Sequence, residues 1–327
     1  MLPSFSVFVG TLGTGLWRSR DTGGHWEPVR QGLGPESRIF CLACDPSNPD
    51  TIYAGAADGL WQSLDRGANF HHVESPMNAL EVWRIGVDPA NSRTLYAGTR
   101  PAALFRSLDG GVRWTRLSAK FPATCPAVRV PRVTALTVDP TDSRVVWAGI
   151  EVDGVQLSID GGETWRRVGP ASGELDIHDI IVTNRGQVFV STPGEVFSTD
   201  AEAKLWRPLL VQPHFRYPYC RGLGLKTDDA EVLFVGTGEA AVGATGAIQR
   251  SADGGVTWTR PELPSEPNSP AWAFATHKCD PDLVVCCSHY GQLFISRDAG
   301  LSWAKVRREF TQTRSLMLLV NPLEEDS

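Results

Sequence analysis

Three arginines in this sequence share a spacing that could create an anion-binding site. Arg38, Arg132 and Arg314 each lie seven residues before the polar turn that ends an apolar segment. A planar guanidinium group binds a carboxylate or phosphate through two parallel hydrogen bonds. Three converging cations are costly unless a negative charge compensates them. The spacing therefore predicts a site for a small anionic ligand, of the carboxylated or sugar-acid-like kind.

Other polar and aromatic side chains are expected beside these arginines. Looser alignment of the same segments adds four ligand-binding candidates, the last two offering an apolar wall for stacking: Arg84, Arg221, Trp83 and Trp272. If chemistry follows binding, the candidate acid and base groups are Glu239, Tyr290 and His178. The alternative is a structural network in which the arginines pair with nearby carboxylates: Glu81, Glu151, Asp176 or Glu239.

The elements that must position these side chains follow from an internal repeat. The pattern Ser-x-Asp-x-Gly-x-x-aromatic, here called the Ser-Asp turn, occurs in seven copies that begin at Ser19, Ser63, Ser107, Ser158, Ser198, Ser251 and Ser296. The copy at Ser198 is degenerate, because Glu202 replaces the Gly and Trp206 comes one residue late. The intervals between copies are 44, 44, 51, 40, 53 and 45 residues, which suits a four-stranded propeller blade.

The segments between the turns predict four strands per repeat. An apolar strand ends in a DP-like turn, a second ends in small residues, a third leads into the Ser-Asp turn, and a fourth leaves it through the aromatic residue. The chain begins at a second strand and ends with a lone first strand at 314–322. We therefore predict one all-β domain over 1–327. It is a seven-bladed β-propeller of four-stranded antiparallel blades, closed when the C-terminal strand joins the N-terminal blade.

The seven copies resemble the Asp-box, or BNR-repeat, family of β-propellers over essentially the whole chain. That family includes sialidases, xyloglucan-acting glycosidases, sortilin-type receptors and photosystem II assembly factors of the Ycf48 type. The resemblance implies that the Ser-Asp turns are structural and that catalytic groups lie on the opposite face. That face is formed by the starts of the first strands and by the loops between second and third strands.

The resemblance also bears on which chemistry to expect. A sialidase holds a sugar carboxylate with three arginines, but this chain lacks the family's Phe/Tyr-Arg-Ile-Pro segment. The nearest segment is Ser37-Arg38-Ile39-Phe40, which argues against sialidase activity. The paired carboxylates of another glycosidase could come from Glu151, Asp153 and Glu239. The assembly factors share an arginine-rich face, yet they are exported proteins and no export signal is recognised here.

Composition excludes several other classes. A net charge of -6 and a pI near 5.7 argue against a nucleic-acid partner. The sequence contains no long apolar run that would cross a membrane, and we expect a cytoplasmic protein. Cys41 and Cys44 have CxxC spacing but are expected on opposite faces of a strand, where they cannot bind one metal ion. We find no cofactor motif and no metal-ligand set.

Two functions are consistent with these patterns. The first is binding of a small anionic ligand at an arginine-rich channel mouth, with hydrolysis or elimination as the favoured reaction of a glycosidase-like hydrolase or lyase. The alternative is a non-catalytic scaffold that binds a protein partner through the same face.

Overall fold

Every regular element of the described chain is a β-strand, and the strands form seven antiparallel sheets. The computed structural model describes residues 3–125, 128–173 and 175–322. Within these residues, six sheets have four strands and one has three. Each sheet begins with an inner strand and proceeds outward in chain order, apart from the sheet that joins the two ends. The predicted all-β, seven-bladed propeller is confirmed.

The strands are numbered in chain order and the blades are named by that order. Blade 1 consists of β4 (Ile39–Cys44), β5 (Ile52–Ala56), β6 (Gly59–Ser63) and β7 (His71–Val73). Blade 2 consists of β8 (Glu81–Val87), β9 (Leu95–Arg100), β10 (Leu104–Ser107) and β11 (Thr115–Arg116). Blade 3 consists of β12 (Val133–Val138), β13 (Val146–Ile150), β14 (Gly154–Ser158) and β15 (Arg166–Val168).

The remaining blades complete the ring. Blade 4 consists of β16 (Asp179–Val182), β17 (Gln187–Ser191), β18 (Val196–Asp200) and β19 (Arg207–Pro208). Blade 5 consists of β20 (Tyr219–Leu225), β21 (Leu233–Gly238) and β22 (Gly246–Ser251). Blade 6 consists of β23 (Ala271–His277), β24 (Asp280–Ser288), β25 (Leu293–Ser296) and β26 (Ala304–Lys305). The closing blade consists of β27 (Thr313–Val320), β1 (Phe5–Thr11), β2 (Leu16–Ser19) and β3 (Glu27–Val29).

The hydrophobic core lies between neighbouring blades. Successive residues of a strand point to opposite faces of its sheet, and both faces of the second strand are covered. In β5, Ile52 packs into the cluster shared with the closing blade, whereas Tyr53 packs into the cluster shared with blade 2. Cys41 and Cys44 are divided between the same two clusters, as their spacing predicted. All seven cysteines lie within the described ranges and are free thiols.

The two ends of the chain close the ring by strand pairing. The inner strand β27 pairs antiparallel with β1, from Phe5 opposite Val320 to Gly10 opposite Ser315. Closure of this kind leaves no long unpaired sheet edge at the junction.

Blade 5 differs from the others at its outer edge. The fourth strand is reduced to one bridge between Arg250 and Thr259. The matching pair in blade 2 is Arg106 and Thr115. Two residues after Thr115, the Leu117 N–H donates to the Leu104 carbonyl. Pro261 stands at the corresponding place in blade 5 and has no N–H to donate. The proline therefore ends the ladder after a single pair.

The Ser-Asp turns are held by a repeated set of hydrogen bonds. In blade 3, the Ser158 hydroxyl donates to Asp160 at 2.8 Å and accepts the Gly162 N–H at 2.8 Å. Asp160 accepts the Thr164 N–H at 2.9 Å, and the Trp165 indole donates to the Gly162 carbonyl at 3.0 Å. Gly162 has a φ of 93°, which a residue with a side chain rarely adopts.

We expect Ser158→Ala to destabilise the fold without changing its architecture. The substitution removes one buried and one partly buried hydrogen bond and leaves the Gly162 N–H unsatisfied, at a cost of about 1–3 kcal/mol. Urea unfolding measures the change, with Ser47→Ala as control because Ser47 is an exposed turn residue. Equal stability of the two variants would contradict the structural role of the turn.

Candidate functional site

A β-bulge occurs near the start of the inner strand in six blades, at the end of the propeller opposite the Ser-Asp turns. In blade 4 the His178 N–H donates to Ser191, which also pairs with Asp179, so the same irregularity is present. A bulge redirects a side chain that regular alternation would place elsewhere. The residues at the bulges are Phe40, Trp83, Thr134, His178, Arg221, Trp272 and Arg314. Together with the residues just before them and the loops from second to third strands, they form what we call the channel mouth.

The three arginines with a common sequence spacing do not occupy a common position. Arg38 and Arg132 lie two residues before the bulge of their blades, whereas Arg314 is itself a bulge residue. The first serine of each Ser-Asp turn gives a common reference level for the inner strands, because the strand pairings connect it to one inner-strand residue in each blade. On this reference, Arg314 occupies the same position as Phe40. Beyond the level of the first turn serine, β27 extends further than the other inner strands do. The expectation of one arginine column is therefore wrong in register, although all three lie at the mouth.

A continuous stack of guanidinium groups and aromatic rings crosses blades 1 to 3. Arg38 lies over the ring of Phe40 at 5.3 Å, and Phe40 stacks on Trp83 at 4.2 Å. Arg132 covers the Trp83 ring at 4.1 Å. The negative face of an aromatic ring attracts a cation, more strongly where water is excluded. The stack therefore orients two arginines toward the mouth.

A second stack lies on the other side of the mouth. Arg221 and Arg314 lie over the Trp272 ring at 4.0 and 4.5 Å. Arg314 donates to Nδ1 of His289 at 2.9 Å, and His289 lies 4.3 Å from Trp272. Burial and then the charge of Arg314 lower the pKa of His289 to about 3, so its imidazole is neutral and can accept this bond.

Carboxylates compensate only part of the positive charge. Glu81 bridges Arg38 at 3.5 Å and Arg100 at 3.6 Å, and Glu151 bridges Arg132 at 2.6 Å. This agrees with the alternative of a salt-bridged network for two of the three predicted arginines.

Arg314 is different, because it forms no salt bridge in the described ranges. Burial, followed by the neighbouring charges of Arg221, Arg132 and Arg84, lowers its pKa to about 9. Its Nε is buried and has no hydrogen-bond partner among the described residues. A bound anion would therefore give Arg314 both an opposite charge and a hydrogen-bond acceptor, neither of which the described residues supply to its Nε.

Glu151 and Asp176 have their pKa values shifted in opposite directions. Burial raises the pKa of Glu151 against the opposing effect of Arg132, and the charge of Asp176 raises it further. For Asp176, burial alone would raise the pKa, but His178 and the charges of Arg221 and Arg132 lower it overall. The Glu151 side chain is 10% exposed and that of Asp176 is 32% exposed, so both border the open mouth. Two interacting carboxyl groups with opposite shifts are typical of an acid and base pair.

His178 lies between a backbone carbonyl on one side and a tyrosine hydroxyl and a carboxylate on the other. Its Nδ1 is 2.7 Å from the Cys220 carbonyl, which assigns the ring proton to Nδ1. Its Nε2 lies 3.4 Å from the Tyr219 hydroxyl and 3.5 Å from Asp176. Burial, followed by the charge of Arg221, lowers the pKa of His178. The geometry suits a neutral histidine whose Nε2 accepts a hydrogen bond from the Tyr219 hydroxyl.

Asp179 lies deeper in the channel. Its carboxylate accepts the N–H groups of Ile180 and Leu223 at 3.0 Å each. Burial raises its pKa, and the charge of Arg84 opposes the shift. Arg84 and Asp179 thus supply one positive and one negative group below the mouth.

The other predicted acid and base groups have different contacts. Glu239 is exposed and accepts the N–H of Ala244 within its own loop at 2.5 Å. Tyr290 lies 4.7 Å from His289, beside the Trp272 stack. Asp153, two residues after Glu151, forms its ion pair with Arg167 at 3.5 Å. The tyrosine in contact with His178 is Tyr219.

The sequence indicated Asp176 only as a partner in the alternative arginine network, and it gave no chemical role to Asp179 or Tyr219. Their roles depend on contacts between blades, such as the 3.5 Å approach of Asp176 to His178. The bulges were not predicted at all. In four blades, a glycine or another small residue follows the bulge residue within two positions. This is the only signal in the sequence that could have indicated the bulges.

The fold and the mouth define a seven-bladed propeller with a charged, aromatic-lined channel entrance. No protein-family model matches the chain. A curated relative from Neosartorya fischeri, described as a probable oligoxyloglucan-reducing end-specific xyloglucanase, is 24% identical over 293 residues. The match covers 71% of this chain and 36% of the relative. The chain spans about a third of the length of the curated relatives it matches.

Two solved structures illustrate the range of proteins with this fold. An ancestral GH74 enzyme aligns with a TM-score of 0.67 and 15% identity, over 90% of this chain and 39% of the enzyme. A YCF48 structure bound to a D1 peptide aligns with a TM-score of 0.61 and 12% identity, over 98% of each chain. At these identities the likeness establishes the fold alone.

Among the described residues, no group of three or more His, Cys, Asp or Glu side chains could hold a metal ion. No helix in the described part of the chain is long and apolar enough to span a membrane.

Proposed function

We propose that the protein is a glycosidase-like hydrolase whose reactive groups are Glu151 and Asp176. The observation that carries this proposal is the opposite shift of the two pKa values at the channel mouth. Glycoside hydrolysis uses a protonated carboxylic acid and an ionised carboxylate on either side of the scissile bond. The xyloglucanases among the curated relatives support the same class of reaction.

The proposed mechanism assigns a protonated state to Glu151 and an ionised state to Asp176. Glu151 donates its proton to the glycosidic oxygen as the bond to the anomeric carbon breaks. Asp176 either removes a proton from the attacking water or attacks the anomeric carbon itself, and the resulting ester is then hydrolysed. Arg132, 2.6 Å from Glu151, stabilises the carboxylate that remains after proton donation.

We further propose that the substrate carries a carboxylate that binds at Arg314 and Arg221. Four arginines of the mouth (Arg84, Arg132, Arg221 and Arg314) face three carboxyl groups (Glu151, Asp176 and Asp179), of which Glu151 is protonated in the proposed mechanism, so the positive charges outnumber the negative ones. Trp272 supplies the apolar wall against which both guanidinium groups are held. A sugar acid satisfies both requirements, with its carboxylate on the arginines and its ring beside the indole.

Binding of sugar acids tests this ligand class directly. We expect thermal stabilisation by at least one uronic acid or aldonic acid and none by the matching neutral sugar. Arg314→Ala should weaken that binding at least tenfold, about 1.4 kcal/mol. Arg144→Ala is the matched control, because Arg144 is an exposed arginine paired with Asp142. Failure of every anion to bind, or equal binding by Arg314→Ala, would contradict the proposed ligand.

A second candidate is a non-catalytic scaffold that binds a protein through the arginine-rich face. The specific observation in its favour is the rim of the mouth, where the side chains of Arg38 and Arg100 are 48% and 35% exposed. The YCF48 structure, which matches over its full length, holds a peptide. A scaffold of this kind would bind a peptide at the mouth and hydrolyse no glycoside.

A further inference from the structure

A second cationic surface lies at the outer edge of the junction between blade 6 and the closing blade. It consists of Trp17 on β2, Arg30 after β3, and Arg307, Arg308 and Phe310 in the connection that leads to β27. We call this set the stacked-arginine patch. The patch borders the channel mouth, because the Trp17 indole donates to Thr14 and the Phe310 N–H donates to Gly291 in loops from second to third strands, but it shares no arginine with the site proposed there.

The aromatic rings of the patch hold two arginines in place. Arg308 lies over the Trp17 ring at 3.8 Å and over Phe310 at 5.5 Å, and Arg30 lies over Trp17 at 5.7 Å. The Trp17 indole donates to Thr14 at 3.3 Å and packs against Phe310 at 6.0 Å, which fixes its orientation. A guanidinium stacked by its face keeps its in-plane N–H groups free for a ligand. Both arginines are therefore oriented before a ligand binds.

Among the residues that the structure describes, no carboxylate neutralises these arginines. Within the described ranges, Arg30, Arg307 and Arg308 form no salt bridge, and all three are exposed. The neighbouring carboxylates have other partners, since Glu27 binds Arg18 and Arg20 while Glu309 binds Lys305. In a protein with a net charge of -6, this cluster of positive charge beside an indole thus has no compensating carboxylate in the described ranges.

We propose that the stacked-arginine patch docks an acidic peptide segment of a partner protein. Two adjacent carboxylates of the segment bind Arg30 and Arg308 edge-on, and an apolar side chain of the segment lies against Phe310. A short acidic segment covers only the patch. A nucleic acid carries a phosphate at every step and would extend over the rest of an acidic surface, where it would be repelled. This docking function is independent of the proposed hydrolase.

Fluorescence anisotropy of a fluorescein-labelled hexaglutamate peptide on the full chain tests the proposal. We expect saturable binding that weakens with added salt, and no binding of the matching hexaglutamine peptide. Arg30→Ala combined with Arg308→Ala should weaken binding at least tenfold. Arg308→Lys should also weaken it, because the charge remains but the planar stack is lost. The control combines Arg144→Ala with Arg185→Ala, two exposed arginines that are paired with Asp142 and Glu231.

Several outcomes would overturn the proposal. These are absence of peptide binding, equal binding of the glutamine peptide, or a loss in the control as large as that in the patch variant. Tighter binding of a single-stranded oligonucleotide than of the acidic peptide would replace the peptide with a nucleic acid as the occupant. The melting temperature of each variant is measured alongside, and Arg308→Lys supplies the result if the double variant does not fold.

Discussion

Removal of residues 313–327 will abolish the single cooperative unfolding transition of the propeller. This segment contains β27, which supplies the inner strand of the closing blade and pairs with β1 over its whole length. Leu316 and Leu318 pack on one side of the sheet, while Met317 and Leu319 pack on the other. Loss of a single buried side chain of this size costs about 2–5 kcal/mol. Loss of all four side chains therefore costs a free energy comparable to the whole stability of a typical domain, which is about 5–15 kcal/mol.

Differential scanning calorimetry measures this effect, with removal of 323–327 alone as the control. The control variant retains β27 and should unfold in one transition, as the full chain does. A synthetic peptide of residues 313–322 added to the longer truncation should restore part of the transition, because it can pair with β1. A truncated chain that melts sharply at the original temperature would contradict closure by this strand.

The sequence predicted the fold because its signal is repeated seven times. Each Ser-Asp turn marks a fixed point in a blade, so errors in one copy, such as that at Ser198, are corrected by the others. The lone strand at the C-terminus then has one possible partner, the first strand of the chain. Only local departures were missed, among them the reduced fourth strand of blade 5, where Pro261 removes one donor.

The mouth was predicted less well because its geometry depends on bulges and on contacts between blades. Counting residues back from the DP-like turn placed Arg314 in register with Arg38, since the count assumes inner strands of equal length. The pairing of Glu151 with Asp176 joins two adjacent blades and has no signature in local spacing. Glu239 was predicted to be an acid or base group at the mouth, but its carboxylate accepts a hydrogen bond from the N–H of Ala244 in the same loop.

Asp176→Asn will reduce glycoside hydrolysis by about a thousandfold or more. The amide can neither attack the anomeric carbon nor accept a proton from water, and general acid or base groups contribute about 10²–10⁴-fold in rate. Glu151→Gln should reduce the rate comparably for substrates with a poor leaving group. Asp153→Asn is the matched control, because burial also raises the pKa of Asp153 although its ion pair is with Arg167.

The pH dependence has a defined sign. Hydrolysis requires Asp176 ionised and Glu151 protonated. The rate should therefore fall on the acid side as Asp176 gains a proton and on the alkaline side as Glu151 loses one. Because the pKa of Asp176 is lowered and that of Glu151 is raised, the window between the two limbs is wider than for unperturbed carboxyl groups. In Glu151→Gln the alkaline limb should disappear.

Proton NMR of the reaction mixture tests the central claim most directly. The full chain is incubated with xyloglucan oligosaccharides and with uronic-acid glycosides, and new anomeric signals are followed with time. The account predicts that the full chain and Asp153→Asn release a reducing sugar from at least one substrate, whereas Asp176→Asn gives no more than the spontaneous rate. No release from any substrate by the full chain, or release by Asp176→Asn at the rate of the full chain, would contradict the assignment of the channel mouth as a hydrolytic site.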